Sequence, residues 1–308
     1  MITPQIEKIL SNYSSDNPGV KANLVRLFMH GELKGTGRLM ILPIDQGFEH
    51  GPGRCFAMNP AAYDPLFHFQ MAVDAGFSAF AAPLGMLEVG ASQFAGQVPL
   101  ILKMNSSNSL MSKEMPADQA ITGSIDDALR LGCSAIGFTI YPGSDQSLEM
   151  YEEISSIIQE AKARGLAAII WSYPRGNISK DGETALDVIS YGAHMACLLG
   201  AHIVKVKLPS SHLEISDAKT IYEANHVPVA ELKDRVKHVV DCCFSGRRVV
   251  IFSGGESQSV DGVLSEVTAI AQGGGSGSIM GRNCFKRPRA EAMDLIAQIM
   301  NVYKTVGL

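Results

Sequence analysis

The stretch AHIVKVKLPS, residues 201–210, places Lys205 and Lys207 inside an apolar run of β-strand character. Residues two apart on a strand share a face, so both ammonium groups are predicted to point one way, into the fold, and Val204 and Val206 the other. An unpaired buried charge costs several kcal/mol. Such lysines therefore need either a carboxylate partner, for which Asp45 is the candidate, or a chemical use. The use would be nucleophilic: desolvation and neighbouring cations lower an ammonium pKa from about 10.4 and free the amine to form a Schiff base with a ketone or aldehyde. Lys103, in VPLILKMN, would be one such cation on a nearby strand.

Other chemistry-bearing residues also stand where apolar runs end. Asp45 follows RLMILPI, and its type fits a base, an acceptor for substrate hydroxyls or a lysine partner. Glu49 and His50 are read as loop residues outside the reacting centre. Trp171 and Tyr173 end LAAIIWSYP; the tryptophan suits a pocket wall, and the tyrosine is either an amphipathic rim residue or a general acid/base. Ser253, Gly254 and Gly255 in FSGG, with Gly281 and Arg282 in MGRN, combine small residues and a guanidinium and so suit a phosphate. The eight histidines are dispersed, with no HExxH, so metal-dependent chemistry is not supported and no cofactor is implied.

What must position these residues is read from the runs themselves. Eight β-type runs (38–45, 77–84, 98–105, 133–142, 166–174, 201–209, 248–255 and 277–283) alternate with helical periodicity, clearest at 145–165, 183–201 and 231–246. Nearly continuous apolar strands between helices predict a parallel sheet covered on its outer face, and eight such units match a (β/α)8 TIM barrel. A doubly wound sheet would usually carry GxGxxG after an early strand, and LPIDQGFEHGPG does not fit that spacing. Residues 1–37 read as an N-terminal helical extension, either closing the barrel bottom or mediating assembly, and residues 38–308 as the catalytic barrel.

The chain has 308 residues, 46% hydrophobic, with a net charge of -5 and no basic block, which argues against nucleic acid as a partner. No uncharged apolar run reaches the roughly 18 residues of a membrane span, and the N-terminus lacks a signal-peptide pattern, so a cytoplasmic protein is expected. Six scattered cysteines without a CxxC pair fit core thiols; adjacent Cys242 and Cys243 are read as helix packing.

ILPIDQGFEHGP, VPLILKMN, FTIYPGS, WSYPRG, IVKVK, FSGG and MGRN occur in the order and at about the spacings of the archaeal-type class I fructose-bisphosphate aldolases, a branch also found in bacteria. The resemblance runs from about residue 38 to 290. It implies a TIM barrel that cleaves fructose 1,6-bisphosphate into dihydroxyacetone phosphate and glyceraldehyde 3-phosphate without a metal. It also implies Lys205 as the Schiff-base former, a choice periodicity alone leaves open against Lys207. Tyr173 matches the general acid/base, Trp171 and Asp45 substrate-contacting positions, and Ser253, Gly254, Gly255, Gly281 and Arg282 phosphate-binding positions. A homo-oligomer, with a decamer among its forms, is implied as well. Gln46, LPSS after the lysines and ES after SGG depart from the family's pattern and bear on the second phosphate. The alternatives are a transaldolase-like synthase, a thiolase acting on another phosphorylated carbonyl compound, or a non-catalytic sugar-phosphate-binding barrel.

Overall fold

The computed structural model describes residues 1–112, 114–254 and 259–307. Gly255, one of the expected phosphate-binding residues, lies outside the described residues. Eight parallel strands close into a barrel: β1 (Leu39–Pro43), β2 (Ala79–Pro83), β3 (Leu100–Lys103), β4 (Ala135–Ile140), β5 (Ala167–Ser172), β6 (Ile203–Val206), β7 (Val249–Ser253) and β8 (Gly277–Ile279), each paired with its neighbours in chain order and β8 with β1. All eight expected runs contain a barrel strand, and each strand is shorter than its run because apolar character continues into the loops.

The strands are apolar on both faces because both are buried. Ile41, Ile169, Ile203 and Ile251 belong to an inner core, whereas Leu42, Ile170, Val204 and Phe252 belong to the outer layer under the helices. Inward residues are small where a large one must fit. Gly137 on β4 is the sharpest case, since an added Cβ would overlap the six-membered ring of Trp171. Gly137→Ala is therefore expected to displace that ring or unfold the barrel, an overpacking loss of at least about 3 kcal/mol. Thermal unfolding, together with fluorescence of the chain's single tryptophan, reads both outcomes.

Two helices precede the barrel, α1 (Pro4–Ser11) and α2 (Pro18–Phe28). Each begins with proline, whose missing N–H costs nothing at that position. Thr3 and Asn17 cap them, accepting from the amides of Ile6 and Val20. Their buried residues Ile6, Val20, Leu24, Leu27 and Phe28 pack with the inner core, not the outer layer. The Tyr13 hydroxyl, just after α1, donates to His202 O at 2.6 Å and accepts from the Val249 amide at 3.3 Å, pinning the starts of β6 and β7. Of the two roles the sequence leaves open, closing the barrel bottom is the one these contacts perform.

The top of the barrel is more elaborate. β1 runs through Ile44 into the short helix Gln46–His50, and β8 gives way at Gly281 to the helix Arg282–Phe285. After β3, Asn105–Ser106 pairs antiparallel with Ala120–Ile121 and frames the 107–118 loop, whose described residues border a cavity together with Glu49, Tyr141 and Arg175.

Candidate active site

Lys205 projects from the inner face of β6 and is only 5% exposed. Its register partner on β5 is Trp171, and its Nζ lies 5.7 Å from that ring and 4.8 Å from the Tyr173 ring. Burial drives the Lys205 pKa down to about 8; Asp45 and Glu49 pull it up, while Lys103 and Arg282 push it down further. About a tenth of such a group is free amine at pH 7, against roughly one part in a few thousand for an ordinary lysine. The second cation that depresses it comes from β3, not from the neighbouring lysine.

Lys207 corrects the sequence reading. β6 ends at Val206, so the alternation that would turn Lys207 inward no longer applies, and its ammonium pairs with Glu183 Oε2 at 2.8 Å with the side chain 28% exposed. Glu183 belongs to the turn Gly182–Thr184 and also reaches Lys180 at 3.1 Å. The structural ion pair considered for the lysines thus belongs to Lys207, with Glu183 and not Asp45 as its partner.

Lys103 is 1% exposed, and its ammonium donates to the Asn105 backbone carbonyl and, at 3.0 Å, to Asn105 Oδ1. Asn105 is held by β4 in turn, accepting from the Thr139 amide and donating to the Thr139 carbonyl, both at 2.8 Å. Lys103 Nζ stands 5.9 Å from the Trp171 ring, so the indole is close to both ammonium groups. Burial lowers the Lys103 pKa while Asp45 and Glu49 oppose that shift.

The Ser253 side chain lies close enough to the Tyr173 phenol to act on it. Burial, then the negative charge of Asp45 and Glu49, raises its phenol well above 10, with Ser253 and Arg282 acting in the other direction. It is a proton donor in the free protein. Around it the ends of β7 and β8 come close together: a Cβ on Gly254 would stand 3.0 Å from Met280 Cγ, and one on Gly281 would meet the Pro43 carbonyl oxygen. Arg282 acts electrostatically on both Lys205 and Tyr173, and Ser253 acts on the Tyr173 phenol.

Glu49, read from the sequence as a loop residue outside the reacting centre, and Arg175, not singled out there, are further charged groups at the barrel top. Glu49 lies one helical turn beyond Asp45, where a loop was expected, and its charge bears on Lys103, Lys205 and Arg175. With Arg175, Tyr141 and Ser107 it lines a cavity of about 290 Å³ beneath the 107–118 loop. Arg175 sits over the Tyr141 ring at 5.4 Å, and its buried Nε has no hydrogen-bond partner among the described residues. Gln119 donates to the Tyr141 hydroxyl at 2.5 Å. The i,i+4 spacing of Asp45 and Glu49 and the position of Arg175 two residues past Tyr173 were the available signals. Among the described residues, no three His, Cys, Asp or Glu side chains converge as a metal site.

Comparison with known proteins shows the family. Residues 39–287 match the DeoC/LacD family aldolase model. The chain is 34% identical over 267 residues to the class 1 fructose-bisphosphate aldolase of Thermoproteus tenax, spanning 86% of this chain and 90% of that protein. It is 33% identical over 268 residues to the enzyme of the same name from Halobacterium salinarum, spanning 87% and 92%. Among solved structures it is similar to an archaeal fructose-1,6-bisphosphate aldolase whose catalytic lysine is covalently bound to the carbinolamine intermediate, with TM-score 0.75, 29% identity and coverage of 91% and 98%.

Proposed function

The chain belongs to the DeoC/LacD family of aldolases, and from that premise we propose that it is a class I, Schiff-base fructose-bisphosphate aldolase in which Lys205 is the nucleophile. The observation that carries the residue assignment is the inward, desolvated amine of Lys205, set between Trp171 and Tyr173.

Neutral Lys205 attacks the ketone carbon of the sugar, water leaves, and the protonated imine becomes an electron sink. That permanent cation beside Tyr173 lowers the phenol's pKa, so in the imine state the phenol gives its proton to solvent and Tyr173 acts as a base. Its phenolate takes the proton of the carbon 4 hydroxyl, and the bond between carbons 3 and 4 breaks. The aldehyde departs, leaving an enamine. The phenol returns its proton to carbon 3, hydrolysis of the imine frees dihydroxyacetone phosphate and Lys205, and the phenolate, no longer beside a cation, regains a proton from water. Ser253, Gly254, Gly281 and Arg282 grip the phosphate of the ketone half, holding carbon 2 over the amine; Gly255 is assigned there by resemblance alone. The unpartnered buried Nε of Arg175 supports the cavity beneath the 107–118 loop as the place for the aldehyde-end phosphate. Asp45 is assigned to the substrate hydroxyls, Trp171 to the pocket wall, and Lys103 to electrostatic support of Lys205. Lys207, held by Glu183, orders the neighbouring turn.

The same reading makes the protein a cytoplasmic enzyme of sugar-phosphate metabolism acting as a homo-oligomer. Among the described residues no helix is long and apolar enough to cross a membrane. Leu148 and Tyr191, 70% and 56% exposed, support an assembly that covers them.

Borohydride reduction in the presence of dihydroxyacetone phosphate and EDTA, followed by peptide mass mapping, tests the assignment. The expected result is a stable adduct on Lys205, unaffected by the chelator. An adduct on Lys207 would move the nucleophile, and no adduct with any carbonyl substrate would favour a binding protein.

A further inference from the structure

A Schiff-base cycle twice needs an acid or base that the carbon–carbon step does not supply: water must be expelled from the carbinolamine, and water must later attack the imine. Tyr173 is assigned to carbons 3 and 4. Two carboxyls remain near the amine, Asp45 and Glu49, one helical turn apart, with the Glu49 amide donating to Asp45 O at 3.4 Å. Of these, Glu49 lines the cavity beneath the 107–118 loop. That cavity, about 290 Å³ in volume and edged with serines, is polar and roomy enough for water. Glu49 thus borders this cavity with its side chain 23% exposed, and its charge acts on Lys205.

We propose, on the Schiff-base reading above, that Glu49 is a further catalytic residue: the acid that expels water from the carbinolamine on Lys205, and the base that later receives a proton from the hydrolytic water. In the first step the Glu49 carboxylic acid gives its proton to the carbinolamine hydroxyl, the C–O bond breaks and water leaves. The nitrogen lone pair closes the C=N bond, so the products are a protonated imine and the Glu49 carboxylate, a neutral pair becoming an ion pair. In the second step water adds to the imine carbon, its proton passes to the carboxylate, and the carbinolamine re-forms.

The groups facing Glu49 suit both forms. Burial, then Asp45 just before its helix, favour the acid, raising the pKa of Glu49, whereas Lys103, Lys205 and Arg175 favour the carboxylate; His50 lies 3.9 Å away. Tyr141, at the end of β4, also senses its charge.

The test is a single-turnover time course with dihydroxyacetone phosphate, quenched with borohydride and followed by intact mass. Electrostatics alone predict that Glu49→Gln speeds amine attack, because Glu49 raises the pKa of Lys205 and its loss would free more amine. Loss of the acid predicts the reverse, an imine formed about 10²- to 10⁴-fold more slowly, with an adduct one water heavier accumulating before it. Glu49→Ala supplies a second arm, in which added formate entering the cavity is expected to restore the rate. Imine formation by Glu49→Gln or Glu49→Ala at the wild-type rate overturns the assignment and leaves Lys205 chemistry standing. Failure of the wild-type protein to form any imine overturns both.

Discussion

Lys205→Met is expected to abolish turnover and borohydride trapping while making the protein more stable at neutral pH. Removal of a nucleophile that acts as part of a catalytic unit costs on the order of 10⁴-fold or more in kcat. The stability gain has a separate origin. The folded-state pKa of about 8 lies below that of the unfolded chain, near 10.5, so the unfolded state binds more protons across that interval. Unfolding free energy therefore rises with pH between about 8 and 10.5, and below that window the full penalty of a charged, buried lysine is present. Methionine fills a similar volume without the charge, so the variant should gain on the order of 3 kcal/mol at pH 7. That gain should shrink as pH climbs through the same window. Denaturant midpoints of both proteins at pH 7 and pH 10 check the sign. A methionine variant no more stable than wild type at pH 7 would mean that Lys205 is compensated by its carboxylates and is not poised as an amine. Residual trapping in the variant would point to Lys207.

Tyr173→Phe separates imine formation from bond cleavage. The substitution deletes one oxygen from a packed ring and leaves Lys205 in place, so the adduct should still form. Cleavage should slow by about 10²- to 10⁴-fold, the usual contribution of a positioned acid/base. Ser253 retains the Val206 carbonyl as an acceptor at 3.4 Å, so the fold should tolerate the change. The combination expected is normal trapping with collapsed kcat. A variant retaining more than a tenth of wild-type kcat would remove Tyr173 from the carbon 4 proton transfer.

The barrel was legible because each strand is buried on both faces and stands out as a short, continuous apolar run between periodic helices. Lys205 was legible for the same reason, as a polar exception inside such a run whose valine neighbours fixed its direction. The parity argument failed for Lys207 because it assumes that the strand continues. Its end at Val206 and its pairing with Glu183 are set by a turn more than twenty residues away in the chain. Glu49 was set outside the reacting centre because QGFEHGPG, with three glycines and a proline, reads as a loop, whereas Gln46–His50 forms a short helix. Arg175 follows Pro174, where strand periodicity has already stopped, and only the tertiary position of Tyr141 brings it to a cavity. The choice between bottom closure and assembly for α1 and α2 was invisible for a simpler reason: an apolar helix face has the same composition whether it meets a barrel floor or another subunit.

That floor makes the barrel a stoppered vessel instead of a pipe. With Ile6, Leu24 and Phe28 filling the lower end and Tyr13 stitching two strands together there, the described residues leave sugar, aldehyde and water to approach Lys205 from above. Traffic must then take turns: while the aldehyde still occupies the exit, solvent cannot reach the enamine from behind, and the carbanion-like carbon stays protected until the first product has gone.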